Sequence, residues 1–153
     1  DRDDLTTPFY VQMLWPARES PVAVLIGTEA RLIEAEAQLR AGATTQSLQT
    51  LNTLRLPVTG LQQLPDGITT AGRENQLFRE RAFWLFGRGT RTGDLRRLIR
   101  QYGRAPNTVF PTGVWHKGGN YGTDVNFLVP FSEANNPNVT VTPETQTCIN
   151  RNA

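Results

Sequence analysis

Apolar residues in the first half of the chain recur at helical spacing. The stretch TEARLIEAEAQLRAG predicts a helix that begins with Thr28 as its N-cap, or already near Val24, and ends at Gly42. A second helix begins at Thr44 or Thr45 and carries Leu48, Leu51 and Leu54. It stops before Pro57, because proline disfavours the helical conformation in the preceding residue. The short connection predicts an antiparallel helical hairpin.

A second helical pattern follows, interrupted by glycines. Four apolar residues recur at the spacing of one helical face: Leu77, Phe78, Ala82 and Leu85. Gly87 and Gly89 then break the pattern, since each costs a helix about 1 kcal/mol relative to alanine. Residues 92–94 can cap a further helix that Gly103 ends. Its inward face holds Leu95, Leu98, Ile99 and Tyr102.

The two ends of the chain lack helical periodicity. Prolines break residues 1–21, which we interpret as an extended docking segment that includes Trp15. Glycines and prolines likewise exclude a long helix from residues 104–153, where we expect one short strand at Val125–Val129. A length of 153 residues fits one domain. From the helical patterns we predict a mainly α fold, with a helical core at residues 22–103 and a long irregular C-terminal segment.

Charge is concentrated in the middle of the chain. Residues 71–104 contain nine arginines and three acidic residues, whereas acidic residues outnumber basic ones on either side. A basic face could bind nucleic acid or an acidic protein. No recognition helix or aromatic-rich basic strand is found, however, and we expect no nucleic-acid partner. We predict instead that Arg88, Arg91, Arg96 and Arg97 gather around Asp94 and fix the glycine bend.

The sequence favours a protein that is not an enzyme. Glu34 and Glu36 lie two positions apart on a helix, so they face different directions and form no paired acid and base. His116 is the only histidine and Cys148 the only cysteine, which predicts no metal site and no disulfide. No phosphate-binding glycine motif occurs, and the contexts of Ser132, His116 and Asp124 do not support a catalytic triad. We therefore expect no cofactor.

The best binding candidate is the segment GVWHKGGNYG at residues 113–122. Trp115 and Tyr121 offer flat rings on which the C–H face of a sugar can stack. His116 and Asn120 can hydrogen-bond its hydroxyl groups, together with Lys117. Glycines allow close approach of the backbone. The alternative is that Trp115 pins an irregular loop onto the helices.

Three ordered sequence blocks resemble the C-terminal part of the SusD/RagB family of outer-membrane nutrient-binding lipoproteins. The first is EARLIEAEAQLRAG in the first predicted helix. The second combines RER at residues 79–81 with GTRTGDLRR at residues 89–97. The third is FLVPFSEANNPN at residues 127–138. Together the blocks cover most of the chain, from about Ala23 to Asn138.

The resemblance implies a non-enzymatic component of a nutrient-uptake complex. Such a protein binds an oligosaccharide or other nutrient at the outer membrane and delivers it to a SusC-like TonB-dependent transporter. Members of the family are several times longer, with tetratricopeptide-like helices and a lipidated cysteine before this region. We therefore expect the chain to be the C-terminal portion of a surface-exposed lipoprotein, partnered by the missing N-terminal part.

Two other hypotheses remain open. One is a helical protein-interaction module whose basic face binds an acidic protein or nucleic acid. The other is a piece with no binding activity of its own, whose surface serves the missing N-terminal part.

Overall fold

The computed structural model describes residues 11–65, 69–125 and 136–138, and these are mainly α-helical. The chain divides into two compact units. The first unit is Asp1–Gly87 and the second is Arg88–Ala153. The helices of the described residues are α1 (Gly27–Arg40), α2 (Thr44–Arg55), α3 (Thr70–Trp84), α4 (Arg91–Tyr102) and α5 (Pro106–Val109). The predicted mainly α class is thus confirmed.

The helical hairpin forms as the sequence predicts. Gly42, with φ 80°, lies in the turn between α1 and α2, which pack against each other. The Ser47 hydroxyl donates a hydrogen bond of 2.7 Å to the Ala35 carbonyl oxygen, and the Thr50 hydroxyl lies 2.9 Å from Oε1 of Gln38. Thr28 is not the N-cap, because α1 already begins at Gly27 with Ile26 in that position.

Helix α3 packs against α1 and completes the core of the first unit. Its N-terminus is capped by the Thr69 hydroxyl, which accepts a hydrogen bond of 3.2 Å from the Gly72 amide. The buried apolar side chains of this unit are Leu32, Ala35, Leu51, Leu77, Phe78 and Leu85. Burial of each leucine contributes about 1.5–3 kcal/mol before the loss of conformational entropy. Of the four residues of the predicted apolar face, Leu77, Phe78 and the C-cap residue Leu85 are buried and Ala82 is half-buried.

The glycine bend begins where α3 ends. Leu85 is the C-cap, and Gly87 adopts φ 74°, a left-handed conformation that favours glycine. A β-carbon at Gly87 would lie 3.0 Å from the Trp15 ring, so the indole rests directly on the bare backbone. Trp15 therefore docks the segment before α1 onto this bend.

In the second unit, α4 begins earlier than the sequence predicts. Thr90 is its N-cap, and residues 92–94 lie inside the helix instead of capping it. Asp94 is buried and forms a 3.1 Å ion pair with Arg97 one turn later. A carboxylate near a helix N-terminus is also favoured by the helix dipole. The end of the helix is as predicted, since Gly103 adopts φ 64° at the C-cap.

The short helix α5 is absent from the sequence prediction. Pro106 occupies its first turn, where the missing amide hydrogen is not needed. Of the predicted strand Val125–Val129, only Val125 is described, and it is buried. Ser132 and Cys148 lie outside the described residues. None of the described helices has the length and apolar character needed to cross a membrane.

Candidate functional site

The predicted binding segment forms a hydrogen-bonded turn at residues 113–121, here called the Trp115 turn. The Trp115 amide donates to the Gly119 carbonyl at 2.9 Å, and the Tyr121 amide donates to the Gly113 carbonyl at the same distance. Val114 and Asn120 pair as an isolated antiparallel bridge. The Gly118 amide also donates to the Trp115 carbonyl at 2.9 Å. The backbone that carries both aromatic residues is thus held by its own hydrogen bonds.

Both aromatic residues of the Trp115 turn are open to solvent. Trp115 is 38% exposed and Tyr121 is 40% exposed. The His116 ring meets the Trp115 ring edge-on, with 5.4 Å between the ring centroids and 69° between their planes. Nζ of Lys117 lies 5.9 Å from the centroid of the Trp115 ring, within range of a cation–π interaction. The turn therefore presents an aromatic surface with a cation at one side.

This arrangement suits reversible binding of a polar ring-shaped ligand. An exposed indole or phenol offers a broad contact surface with few rotatable bonds to immobilise. His116 and Asn120 are exposed on the same short turn and can exchange hydrogen bonds with hydroxyl groups. All four residues of the predicted site therefore lie on one continuous turn, within seven positions of the sequence.

The first unit contains a polar cluster that the sequence does not predict, formed by Arg55, Glu80 and Trp84. Nη1 of Arg55 donates to Oε1 of Glu80 at 2.7 Å, and Nε1 of Trp84 donates to Oε2 of Glu80 at 3.0 Å. The Glu80 side chain is only 5% exposed. Its spacing of four from Trp84 is a detectable helical signal, but the pairing with Arg55 on α2 leaves no sequence pattern.

The two carboxylates of α1, Glu34 and Glu36, lie in different environments. Glu34 is partly exposed and forms a 2.6 Å ion pair with Arg31. Glu36 is buried, and this difference from Glu34 agrees with the prediction that the two side chains lie on different faces of α1. Within residues 11–65, 69–125 and 136–138, no three histidine, cysteine or acidic side chains come together as metal ligands would.

No family model, curated protein or solved structure matches this chain.

Proposed function

We propose that the chain is a non-enzymatic binding protein for a glycan or related nutrient, with the Trp115 turn as its contact surface. The observation that carries the proposal is the exposure of Trp115 and Tyr121 on a backbone fixed by hydrogen bonds. A residue that only pinned the loop would have its ring covered. Here more than a third of each residue is left for a ligand.

Binding would proceed without covalent change. The apolar face of a pyranose stacks on an aromatic ring, and its hydroxyl groups exchange hydrogen bonds with His116 and Asn120. Lys117 already lies near one face of the Trp115 ring, so the sugar takes the other face or displaces the ammonium group. Because the backbone of the turn is already ordered, little conformational entropy is lost on binding.

The SusD-like sequence blocks supply the proposed setting. In this setting the chain is the C-terminal part of a surface-exposed outer-membrane lipoprotein that passes its ligand to a SusC-like TonB-dependent transporter. The helical hairpin of α1 and α2 is compatible with the tetratricopeptide-like helices of that family. The resemblance in the three blocks, and not the helical class alone, supports this part of the proposal.

An oligosaccharide array followed by calorimetric titration of the best ligand tests the proposal. We expect Trp115→Ala and Tyr121→Ala each to weaken binding by about tenfold or more, a loss of about 1.4 kcal/mol. Phe86→Ala is the matched control, since Phe86 is a solvent-exposed aromatic residue outside the turn. Equal affinities for all four proteins, or no glycan binding, would contradict the proposal.

A salt titration with single-stranded nucleic acid distinguishes glycan binding from the competing hypothesis, a basic interaction module. Binding through arginines to phosphates weakens steeply as salt rises, because counterions are released. Sugar binding by stacking is expected to change little over the same range of salt. A steep salt dependence without any glycan signal would favour the basic module.

A further inference from the structure

A groove of about 980 Å³ lies in the first unit, between α3 and the loop that follows α2. Its size falls at the upper end of the range typical for small-molecule sites. Apolar and polar side chains share its lining, among them Arg55, Leu61, Arg79, Glu80, Phe83 and Trp84. The described lining residues all belong to the first unit, whereas the Trp115 turn belongs to the second.

Side chains from two helices hold the loop wall of the groove. The Leu64 amide donates to Oδ1 of Asn52 at 2.7 Å, and the Leu64 carbonyl accepts from Nδ2 of Asn52 at 3.3 Å. Nε of Arg55 donates to the Gln62 carbonyl at 2.7 Å, and Nε2 of Gln76 to the Pro65 carbonyl at 3.4 Å. The groove is therefore formed before any ligand arrives, which lowers the cost of binding.

Glu80 is the one carboxylate among the described lining residues, and its negative charge is already paired. Both oxygens of Glu80 accept hydrogen bonds, one from Arg55 and one from Trp84. Its negative charge is balanced by the Arg55 guanidinium at 2.7 Å. Glu80 therefore offers no site for a cation and acts as a fixed part of the floor.

Arg79 supplies the charge that a ligand can use. It is exposed, and its guanidinium carbon lies 5.8 Å from the centroid of the Phe83 ring. Within the part of the chain that the structure describes, no carboxylate forms an ion pair with it. Among the described residues of the lining, the charged ones are Arg55, Arg79 and Glu80, which leave one net positive charge beside apolar surface.

We propose that this groove binds an amphipathic organic anion. The carboxylate of the ligand pairs with Arg79, and its aromatic or aliphatic body packs against Phe83 and Leu61. Phe83 is 68% exposed and Leu61 is 42% exposed, so both have apolar surface to lose to a ligand. Binding in this groove does not depend on the proposed glycan binding.

A titration with 4-phenylbutyrate, compared with the uncharged 4-phenylbutanol, tests the site. The full chain carries Trp15→Phe and Trp115→Phe, so Trp84 remains as the only indole and reports on the groove. We expect phenylbutyrate to change the Trp84 fluorescence saturably and to bind about tenfold more tightly than the alcohol, as a charge-assisted hydrogen bond implies. Because Trp115 is absent, the outcome is independent of sugar binding.

Arg79→Gln is expected to reduce the affinity for the acid to that for the alcohol. Arg18→Gln, which removes an exposed arginine that does not line the groove, is expected to leave both affinities unchanged. Circular dichroism confirms that each variant is folded. Equal binding of acid and alcohol, an unchanged affinity in Arg79→Gln, or no saturable response up to millimolar ligand would each overturn the proposal.

Discussion

Glu80 is the residue at which two helices of the first unit are joined by charge. Its two oxygens accept from Arg55 on α2 and from Trp84 one turn further along α3. The carboxylate is almost completely buried, and the Arg55 side chain is mostly buried as well. A charge in such a place is tolerated because a partner and hydrogen bonds replace the lost water. Removing one partner leaves the other uncompensated.

We expect Glu80→Gln to lower the free energy of unfolding by about 3 kcal/mol, because Arg55 would keep a buried charge without a counter-ion. Glu34→Gln, which removes an exposed ion pair with Arg31, is the matched control and should cost no more than about 0.5 kcal/mol. Urea unfolding of both variants measures the difference. Similar costs for the two substitutions would show that the Arg55–Glu80 pair is not a stabilising contact.

Sequence reasoning reaches some of these residues and misses others for a physical reason. Trp115 and Tyr121 were identified because ring type, glycines and polar neighbours all lie in one short segment. Arg55 and Glu80 are 25 positions apart, and their pairing depends on how α2 and α3 pack. The groove was missed for the same reason, since its lining comes from a helix and a separate loop.

At the level of helices, local signals predicted the ends of α1 and α4 better than their starts. Gly42 and Gly103 mark the ends of α1 and α4 because each turn needs a positive φ that glycine adopts freely. The starts are less constrained, since neither α1 nor α4 has a side-chain cap. Thr28 and Thr92 resemble caps in the sequence, but each lies inside its helix. The four-residue helix α5 is too short for periodicity to detect.

The glycine bend depends on the absence of a side chain at Gly87. We expect Gly87→Ala to lower the free energy of unfolding by about 2 kcal/mol or more. Alanine is strained at φ 74°, by about 1 kcal/mol or more, and its β-carbon would also lie 3.0 Å from the Trp15 ring. Thermal unfolding measures the total, and Trp15 fluorescence in a variant with Trp84→Phe and Trp115→Phe reports whether the indole has moved.

Substitutions at Gly89 and Gly93 distinguish the effect of backbone strain from the effect of the contact with Trp15. Gly89→Ala introduces a similar strain, at φ 76°, with no atom within 4 Å, so it should cost about 1 kcal/mol. Gly93→Ala places alanine inside α4 in open space and should stabilise the protein by up to about 1 kcal/mol. If Gly87→Ala and Gly89→Ala cost the same, the contact with Trp15 contributes nothing.

At the scale of the whole molecule, the two units differ in how much apolar surface they bury. Among the described residues, six of the eight buried hydrophobic side chains belong to the first unit, and only Leu98 and Val125 belong to the second. Hydrophobic burial is the main favourable term in folding. Within residues 11–65, 69–125 and 136–138, most of the buried apolar core therefore lies in the first unit.

We expect a fragment of residues 1–87 to fold by itself, because α1 packs against both α2 and α3 and all three helices contribute buried apolar side chains. Far-ultraviolet circular dichroism should show a helical spectrum with a cooperative thermal transition. A fragment of residues 88–153 is the comparison. Because its described part includes only two buried hydrophobic side chains, Leu98 and Val125, we expect a less cooperative transition in it. A disordered spectrum for residues 1–87, beside a folded full chain, would contradict this division.

The pair of hydrogen bonds between Asn52 and Leu64 has a consequence for how this protein can change. The side-chain amide of Asn52 bonds to the Leu64 backbone as a paired β-strand would. Its Oδ1 accepts from the Leu64 amide, and its Nδ2 donates to the Leu64 carbonyl oxygen. It does not line the groove, yet it sets the position of one wall. We therefore expect that residues 57–63, between α2 and Leu64, can be exchanged while the helices stay fixed. The selectivity of the proposed groove could then be redesigned without refolding the scaffold.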